Sequence, residues 1–194
     1  GDRANRTALD AYGKALGDNT NKRWRIEHAQ AIALPDFALF KKYGVIASMQ
    51  STHATSDMRW ALARLGPDRI AGAYAQKRML NNGIVVANGS DFPVEEPNPL
   101  MGFYAAVSRQ DAQGQPAGGW RPEERFTRDE ALRSWTWAGA YAAFEDDWKG
   151  TLEPNKIADF LVLTRDIMTL PLPDLPKVKV RMTFVAGQTV YSDR

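Results

Sequence analysis

Short apolar segments alternate with longer amphipathic ones along the first half of the chain. The short segments, residues 23–27, 44–49 and 84–87, are typical of buried strands. Apolar residues at helical spacing predict helices over residues 5–16, from Pro35 onward, and over residues 70–81. Strands that alternate with helices are typical of a parallel sheet with helical crossovers.

The middle of the chain has a different pattern. Residues 93–122 are rich in Pro, Gly and Gln, and they predict a long irregular connection with a short helical piece around residues 100–107. Thr127 followed by Glu130 predicts a capping box, which begins a helix that reaches Ala143.

The last part of the chain predicts a small separate sheet. Its strands are expected over residues 160–163, 178–184 and 189–191, with a turn at Ala186-Gly187. The change of pattern at Gly150 divides the chain into residues 1–149, which continue the α/β pattern, and residues 150–194, which form the second unit.

Composition and charge narrow the class of protein. The 194 residues carry a net charge of +2 with acids and bases interspersed, so nothing favours a nucleic acid or an anionic membrane as partner. No segment approaches the roughly 20 apolar residues of a membrane span. The chain has no cysteine, which excludes disulfides, thiolate metal ligands and cysteine nucleophiles. A metal site would therefore depend on two histidines, on carboxylates, or on residues outside this chain.

Two polar residues at the ends of predicted strands are candidates for metal chemistry. In parallel sheets of this kind, functional side chains collect at the carboxyl ends of the strands. His28 closes the first strand and is a candidate metal ligand, with a histidine bonded to a backbone carbonyl as an equal alternative. Asp91 follows the third strand and is a candidate ligand and proton acceptor, with a turn-forming aspartate as the alternative.

Two further residues are candidates for contact with a substrate. His53 follows the second strand and could contact substrate or stabilise a developing oxyanion, although a histidine at a helix N-terminus is the simpler interpretation. Trp120 lies in the irregular connection and is the tryptophan best placed to touch substrate. The other five tryptophans are interpreted as packing residues.

Several motifs, in order along nearly the whole chain, resemble one known family. They include Arg25-Ile26-Glu27-His28-Ala29-Gln30, Ser48-Met49-Gln50-Ser51-Thr52-His53, Gly89-Ser90-Asp91-Phe92-Pro93-Val94 and Lys149-Gly150-Thr151-Leu152-Glu153-Pro154. The chain is similar to amidohydrolase family 3 of the amidohydrolase superfamily, the group that includes N-substituted formamide deformylases.

The resemblance implies a fold, a reaction and a site. The fold is α/β, formed by the last strands and helices of a distorted (β/α)8 TIM barrel together with strands of a small β-sandwich. The reaction is hydrolysis of an amide or related C–N bond through a metal-activated water. By the same resemblance, His28 and Asp91 are metal ligands, Asp91 is also the catalytic base, and His53 lies near the active site. The cofactor is a divalent metal, zinc, as one or two ions in the full-length parent.

The resemblance also has gaps. The family's His-x-His pair and its bridging carboxylate or carboxylated lysine have no counterpart in this chain. We therefore expect the C-terminal portion of a hydrolase that is inactive alone and acts on a small amide-type substrate. Its expected partner is the missing N-terminal barrel half or a second copy, in an oligomer. The alternative is a non-catalytic α/β module that self-associates through exposed sheet edges.

Overall fold

The computed structural model describes residues 1–193, and its strands form two sheets of three strands each. The first sheet is parallel and has the order β1 (Arg25–Glu27), β2 (Ile46–Met49) and β3 (Val86–Asn88). Its register pairs Glu27 with Ser48, and Ser48 with Ala87. The three strands therefore end side by side, which confirms the parallel sheet expected from the sequence.

Helices cover this sheet and close its core. They are α1 (Asp2–Leu16), α2 (Phe37–Tyr43), α3 (Ser51–Ile70), α4 (Gln76–Asn81), α5 (Pro99–Ser108), α6 (Arg128–Trp135) and α7 (Trp137–Ala142). Leu9, Phe40 and Phe103 share one buried cluster with the strand residues Ala47 and Val86. Burial of one large apolar side chain contributes about 1.5–3 kcal/mol, so this cluster holds the helices against the sheet. In residues 1–193 no helix is both long enough and apolar enough to cross a membrane.

The prediction of a helix over residues 70–81 is wrong for the first half of that segment. The segment begins with the end of α3, continues through a turn, and becomes helical again only in α4. Within the turn, Ala73 forms a bridge with Ala31, and Tyr74 has a φ of 50°. A backbone that pairs with another segment and enters the left-handed region cannot continue a helix.

The longest helix, α3, was expected from the sequence only at its start, in the alternative interpretation of His53. Gly66, with a φ of 77°, and the following Pro67 kink it near its end. Its few buried residues are Ser51, His53, Ala54, Thr55 and Ala61. Because most of its surface faces outward, the apolar periodicity that reveals a helix in sequence is weak here.

Of the two sequence predictions for the region around α6, one is confirmed and one is wrong. The capping box is confirmed, since the Thr127 side chain accepts from the Glu130 N–H and the Glu130 side chain accepts from the Thr127 N–H. The helix expected to continue to Ala143 is instead broken at Thr136, whose φ is −123° and ψ is −86°. The break divides the expected helix into α6 and α7.

Close packing joins α5 to α6 at Gly102. A Cβ atom at Gly102 would lie 2.0 Å from the Trp135 ring, a distance at which atoms overlap. Glycine is therefore needed for the approach of these two helices. Gly139 in α7 is different, because a Cβ atom there would meet nothing within 4 Å.

The second sheet is antiparallel and has the order β4 (Phe160–Leu163), β5 (Val180–Val185) and β6 (Gln188–Ser192). Phe160 and Phe184 stack with ring centroids 4.4 Å apart, and the expected turn is present, with positive φ at Ala186 and Gly187. Between β4 and β5 the chain returns to the main core, where Leu170 and Leu175 are buried. Residues on both sides of position 150 share this core. The division of the chain into two units at residue 150 stays a prediction.

Candidate metal centre

Three residues that follow the strands of the parallel sheet meet at one edge. His28 comes directly after β1, Asp91 lies in the turn after β3, and His53 is in the first turn of α3, which follows β2. Because the strands end side by side, these side chains converge, and their potential ligand atoms lie within 4.8 Å of one another. The structure thus brings together three of the four residues that the sequence singled out.

The backbone at two of these positions is unusual. His28 has a φ of 68° and Asp91 a φ of 58°, the left-handed region that residues other than glycine rarely adopt. Such a conformation costs roughly 1–3 kcal/mol and persists where the surroundings enforce it. The turns after β1 and β3 therefore place these two side chains at an energetic cost, which is typical of functional sites.

Atomic distances support a shared metal ion. Oδ2 of Asp91 lies 3.6 Å from Nε2 of His53 and 3.9 Å from Nδ1 of His28. Neighbouring ligands of a tetrahedral zinc, with bonds of about 2.0–2.1 Å, lie about 3.3 Å apart. The two imidazole rings are stacked, with centroids 5.9 Å apart. Small side-chain movements would bring two imidazole nitrogens and a carboxylate to ligand distance.

His53 supplies the clearest sign that the site suits a metal ion. Its Nε2 atom is buried and has no hydrogen-bond partner within residues 1–193. A buried polar atom without a partner costs about 1–3 kcal/mol. A metal ion held jointly by His53 and Asp91 would satisfy this nitrogen, so the donor set fits a divalent metal.

Gln50 determines how His28 can act as a ligand. Nδ1 of His28 lies 3.0 Å from Oε1 of Gln50. One ring nitrogen cannot donate to an amide oxygen and ligate a metal at once. His28 would therefore either ligate through Nε2, with Gln50 fixing the tautomer, or release Gln50.

A small cavity lies beside the three residues. Its interior holds about 10 Å³, which is enough for about one water-sized group. The wall is formed by His28, Gln30, Met49, Gln50, His53, Ala54, Tyr74, Gln76 and Arg109. Polar side chains thus dominate the space next to the candidate metal centre.

Tyr74 belongs to a partly buried hydrogen-bond network in this wall. Its hydroxyl donates to Oδ2 of Asp57 at 2.7 Å, and Nε2 of Gln30 donates to the same carboxylate oxygen at 2.6 Å. Burial, and then the hydrogen bond to Asp57, raise the pKa of Tyr74 well above its usual range. Tyr74 is therefore a neutral hydroxyl that fixes Gln30 next to the candidate centre.

Trp120, the fourth residue singled out from the sequence, does not line this cavity. It contributes instead to an open groove of about 520 Å³ with Met58, Arg59 and Asp111. Its ring meets Tyr74 edge-on at a centroid distance of 5.3 Å. A substrate contact at Trp120 stays a prediction.

Gln50, Tyr74 and Arg109 were not singled out from the sequence. Gln50 could have been predicted from the sequence, because it comes directly after β2 and so lies at the carboxyl end of a strand. Tyr74 and Arg109 lie in a turn and at the end of α5, and only the tertiary packing brings them to one cavity.

Comparison with known proteins identifies the family. The sequence pattern of the amidohydrolase family matches residues 1–191. The chain belongs to the amidohydrolase family. This confirms the resemblance to amidohydrolase family 3 found in the motifs.

Curated relatives of the amidohydrolase chain are longer proteins. It is 34% identical over 194 residues to Protein LONG AFTER FAR-RED 3 of Arabidopsis thaliana, covering 98% of this chain and 33% of the relative. It is 29% identical over 191 residues to the putative amidohydrolase YtcJ of Bacillus subtilis, covering 98% of this chain and 36% of the relative. To the N-substituted formamide deformylase of Arthrobacter pascens it is 34% identical over 118 residues, covering 61% and 21%. The chain spans about a third of the length of the first two relatives.

Solved structures agree in fold. A metal-dependent hydrolase from Pyrococcus horikoshii, described as uncharacterized, superposes with a TM-score of 0.76 at 27% identity, covering 89% of this chain and 34% of that one. An adenosine deaminase from Xanthomonas campestris with bound zinc superposes with a TM-score of 0.64 at 18% identity, covering 94% and 40%. The chain therefore has the fold of part of an amidohydrolase TIM barrel, and it is homologous to metal-dependent hydrolases.

Proposed function

We propose that these residues form part of the active site of a hydrolase that cleaves an amide or related C–N bond. The observation that carries the proposal is the convergence of His28, His53 and Asp91 at the carboxyl ends of three parallel strands. The homology to metal-dependent hydrolases supports the general reaction class, and the chemistry of the donor set supports zinc as the metal.

Each residue has a distinct task in this proposal. His28, His53 and Asp91 would hold the ion, which matches the roughly three protein ligands of a catalytic zinc. A bound zinc would supply a water activated for attack on the scissile carbon. Asp91 is 36% exposed and would accept the proton of that water at a carboxylate oxygen, then return it to the leaving nitrogen.

The surroundings of the site support proton transfer by Asp91. His53 is largely buried and His28 is half exposed, and a ring nitrogen of each lies within 4 Å of the same carboxylate oxygen of Asp91. The exposed side of Asp91 remains accessible to a substrate. A site with two ions would need ligands beyond these three, and we propose that the remainder of a longer protein supplies them.

The test is hydrolysis by the full-length protein that carries these residues, assayed with a panel of amides and added zinc. We expect Asp91→Asn to lower kcat/KM by about 10²–10⁴-fold, because the amide cannot take the proton. Glu96→Gln is the matched control, since Glu96 is an exposed carboxylate outside the candidate centre. Equal activity of Asp91→Asn and the unchanged protein would refute the proposed role of Asp91.

A further inference from the structure

Arg109 lines the same cavity, and its guanidinium has an unsatisfied donor. Arg109 caps the C-terminal end of α5 and is 1% exposed. Its Nε donates to the Trp120 carbonyl at 3.1 Å, and its Nη1 donates to the Tyr74 carbonyl at 3.2 Å. The remaining nitrogen, Nη2, is buried and finds no acceptor among the residues that the structure describes.

Nearby acidic residues form no ion pair with this side chain. The one buried glutamate of the region, Glu124, lies 3.7 Å from Nη2 of Arg121 and 3.8 Å from Nε of Arg78. The same carboxylate also accepts the backbone N–H groups of Lys77 and Arg78. Glu124 is thus shared by other donors, and Arg109 forms no ion pair within residues 1–193.

Arg109 remains charged at neutral pH in spite of its burial. Burial, and then the like charge of Arg121, lower the pKa of Arg109 to about 10. A buried positive charge without a partner is unfavourable for the folded state. An anion at Nη2 would remove this penalty, and the cavity that Arg109 lines together with His28 and His53 is the nearest described space for one.

We propose that Arg109 forms a carboxylate-binding site beside the candidate metal centre. The inner space of about 10 Å³ accepts one carboxylate oxygen, and the rest of the ligand extends toward His28 and His53. Gln76 does not compete for this oxygen, because its amide already bonds to Ser51, Ala106 and Glu124. In the hydrolase the carboxylate belongs to the amide substrate, and this assignment of substrate class rests on the proposed function.

Formate is the probe that tests the binding site. The full-length protein, treated with a chelator, is titrated with formate or with formamide, a neutral ligand of similar size, at constant ionic strength. The Trp120 ring lies 5.3 Å from Cζ of Arg109, so tryptophan fluorescence reports binding. We expect saturable binding of formate that is about tenfold or more tighter than that of formamide. Equal binding of formate and formamide would overturn the proposal.

Two variants locate the site. Arg109→Met should abolish the preference for formate, whereas Arg59→Met should retain it, since Arg59 is 77% exposed and lies in the groove beside Trp120. Formate binding unchanged in a folded Arg109→Met protein would also overturn the proposal. If Arg109→Met does not fold, the comparison of formate with formamide in the unchanged protein decides.

Hydrolysis assays separate this inference from the proposed function. A zinc-dependent hydrolase without a formate preference contradicts the carboxylate site alone. Formate binding in a protein without hydrolase activity contradicts the hydrolase and leaves the carboxylate site supported. In an active enzyme, we expect amides with a free carboxylate to have a KM about tenfold lower than their methyl esters, and Arg109→Met to remove that difference.

Discussion

Nε2 of His53 and Nη2 of Arg109 are both buried, both without a partner in residues 1–193, and both belong to residues of one cavity wall. Most buried polar atoms in native proteins are paired, so each unpaired one requires an explanation. The two atoms differ in chemistry, because an imidazole nitrogen can ligate a metal through a lone pair, whereas a guanidinium only donates protons. At the residue scale, the two unpaired atoms support the proposed metal ion at His53 and the proposed anion at Arg109.

Measurement of zinc affinity tests whether His53 is a metal ligand. We expect His53→Ala to weaken zinc affinity by about tenfold or more, because it removes one of the three converging ligands. Isothermal titration of the metal-free protein with zinc measures the change. Thr52→Ala is the neighbouring control, since Thr52 is not one of the three converging residues. Equal zinc affinity of the His53→Ala variant and the unchanged protein would exclude His53 as a ligand.

Tyr74 gives a prediction about alkaline pH. Its pKa is raised in the folded state, so the folded protein holds this proton more tightly than the unfolded chain, whose tyrosine pKa is about 10. The contribution to stability is fully present below pH ~10 and is lost as the pH rises through the folded-state pKa. Tyr74→Phe should therefore lose less stability than the unchanged protein as the pH is raised above about 10.

Urea unfolding over a series of alkaline pH values measures this difference. The pKa of Arg109, lowered to about 10, acts in the opposite direction over the same range, but Arg109 is present in both proteins. Tyr191→Phe is the control, because Tyr191 is 49% exposed. Parallel pH profiles for Tyr74→Phe and the unchanged protein would contradict the prediction.

At the scale of elements, the sequence predicts what depends on local pattern. The apolar runs of β2 and β3 and the capping box of α6 are local, and all three are confirmed. The helix α3 was missed beyond its first turn because its buried positions are few and none carries a large apolar side chain. His28 and Asp91 were found because strand ends can be read from sequence, whereas Arg109 was missed because its partners Tyr74 and Trp120 lie far from it along the chain.

The contact between α5 and α6 gives a prediction about packing. We expect Gly102→Ala to destabilise the fold by about 1–3 kcal/mol, because the added methyl group overlaps the Trp135 ring. Gly139→Ala is the matched control in α7 and should stabilise by about 0.5–1 kcal/mol, since its methyl group meets open space in a helix. Thermal unfolding of the two variants measures both changes. A neutral effect of Gly102→Ala would show that the two helices separate easily.

At the scale of the whole molecule, the parallel sheet is open. In residues 1–193, β1 and β3 each pair on one side only, with β2 between them. Unpaired strand edges attract further strands. We propose that these edges pair with the remainder of a longer protein or with a second copy. The first partner agrees with the hypothesis of a hydrolase portion, and the second also agrees with that of a self-associating module.

Light scattering and an activity assay on the purified 194-residue chain test this arrangement. We expect an oligomer with negligible turnover, because the strand edges are free and a sheet of three strands forms only part of a barrel. A monomer that unfolds cooperatively would contradict edge pairing. Strong hydrolysis by the chain alone would contradict its role as one part of an active site.

The left-handed turns at His28 and Asp91 have a consequence for protein engineering. Glycine or asparagine adopts a positive φ more easily than histidine or aspartate, so a library selected for thermostability alone should enrich these residues at positions 28 and 91. The same library selected for retained zinc should keep the original pair. Thermostability and metal retention thus select different sequences at the turns after β1 and β3.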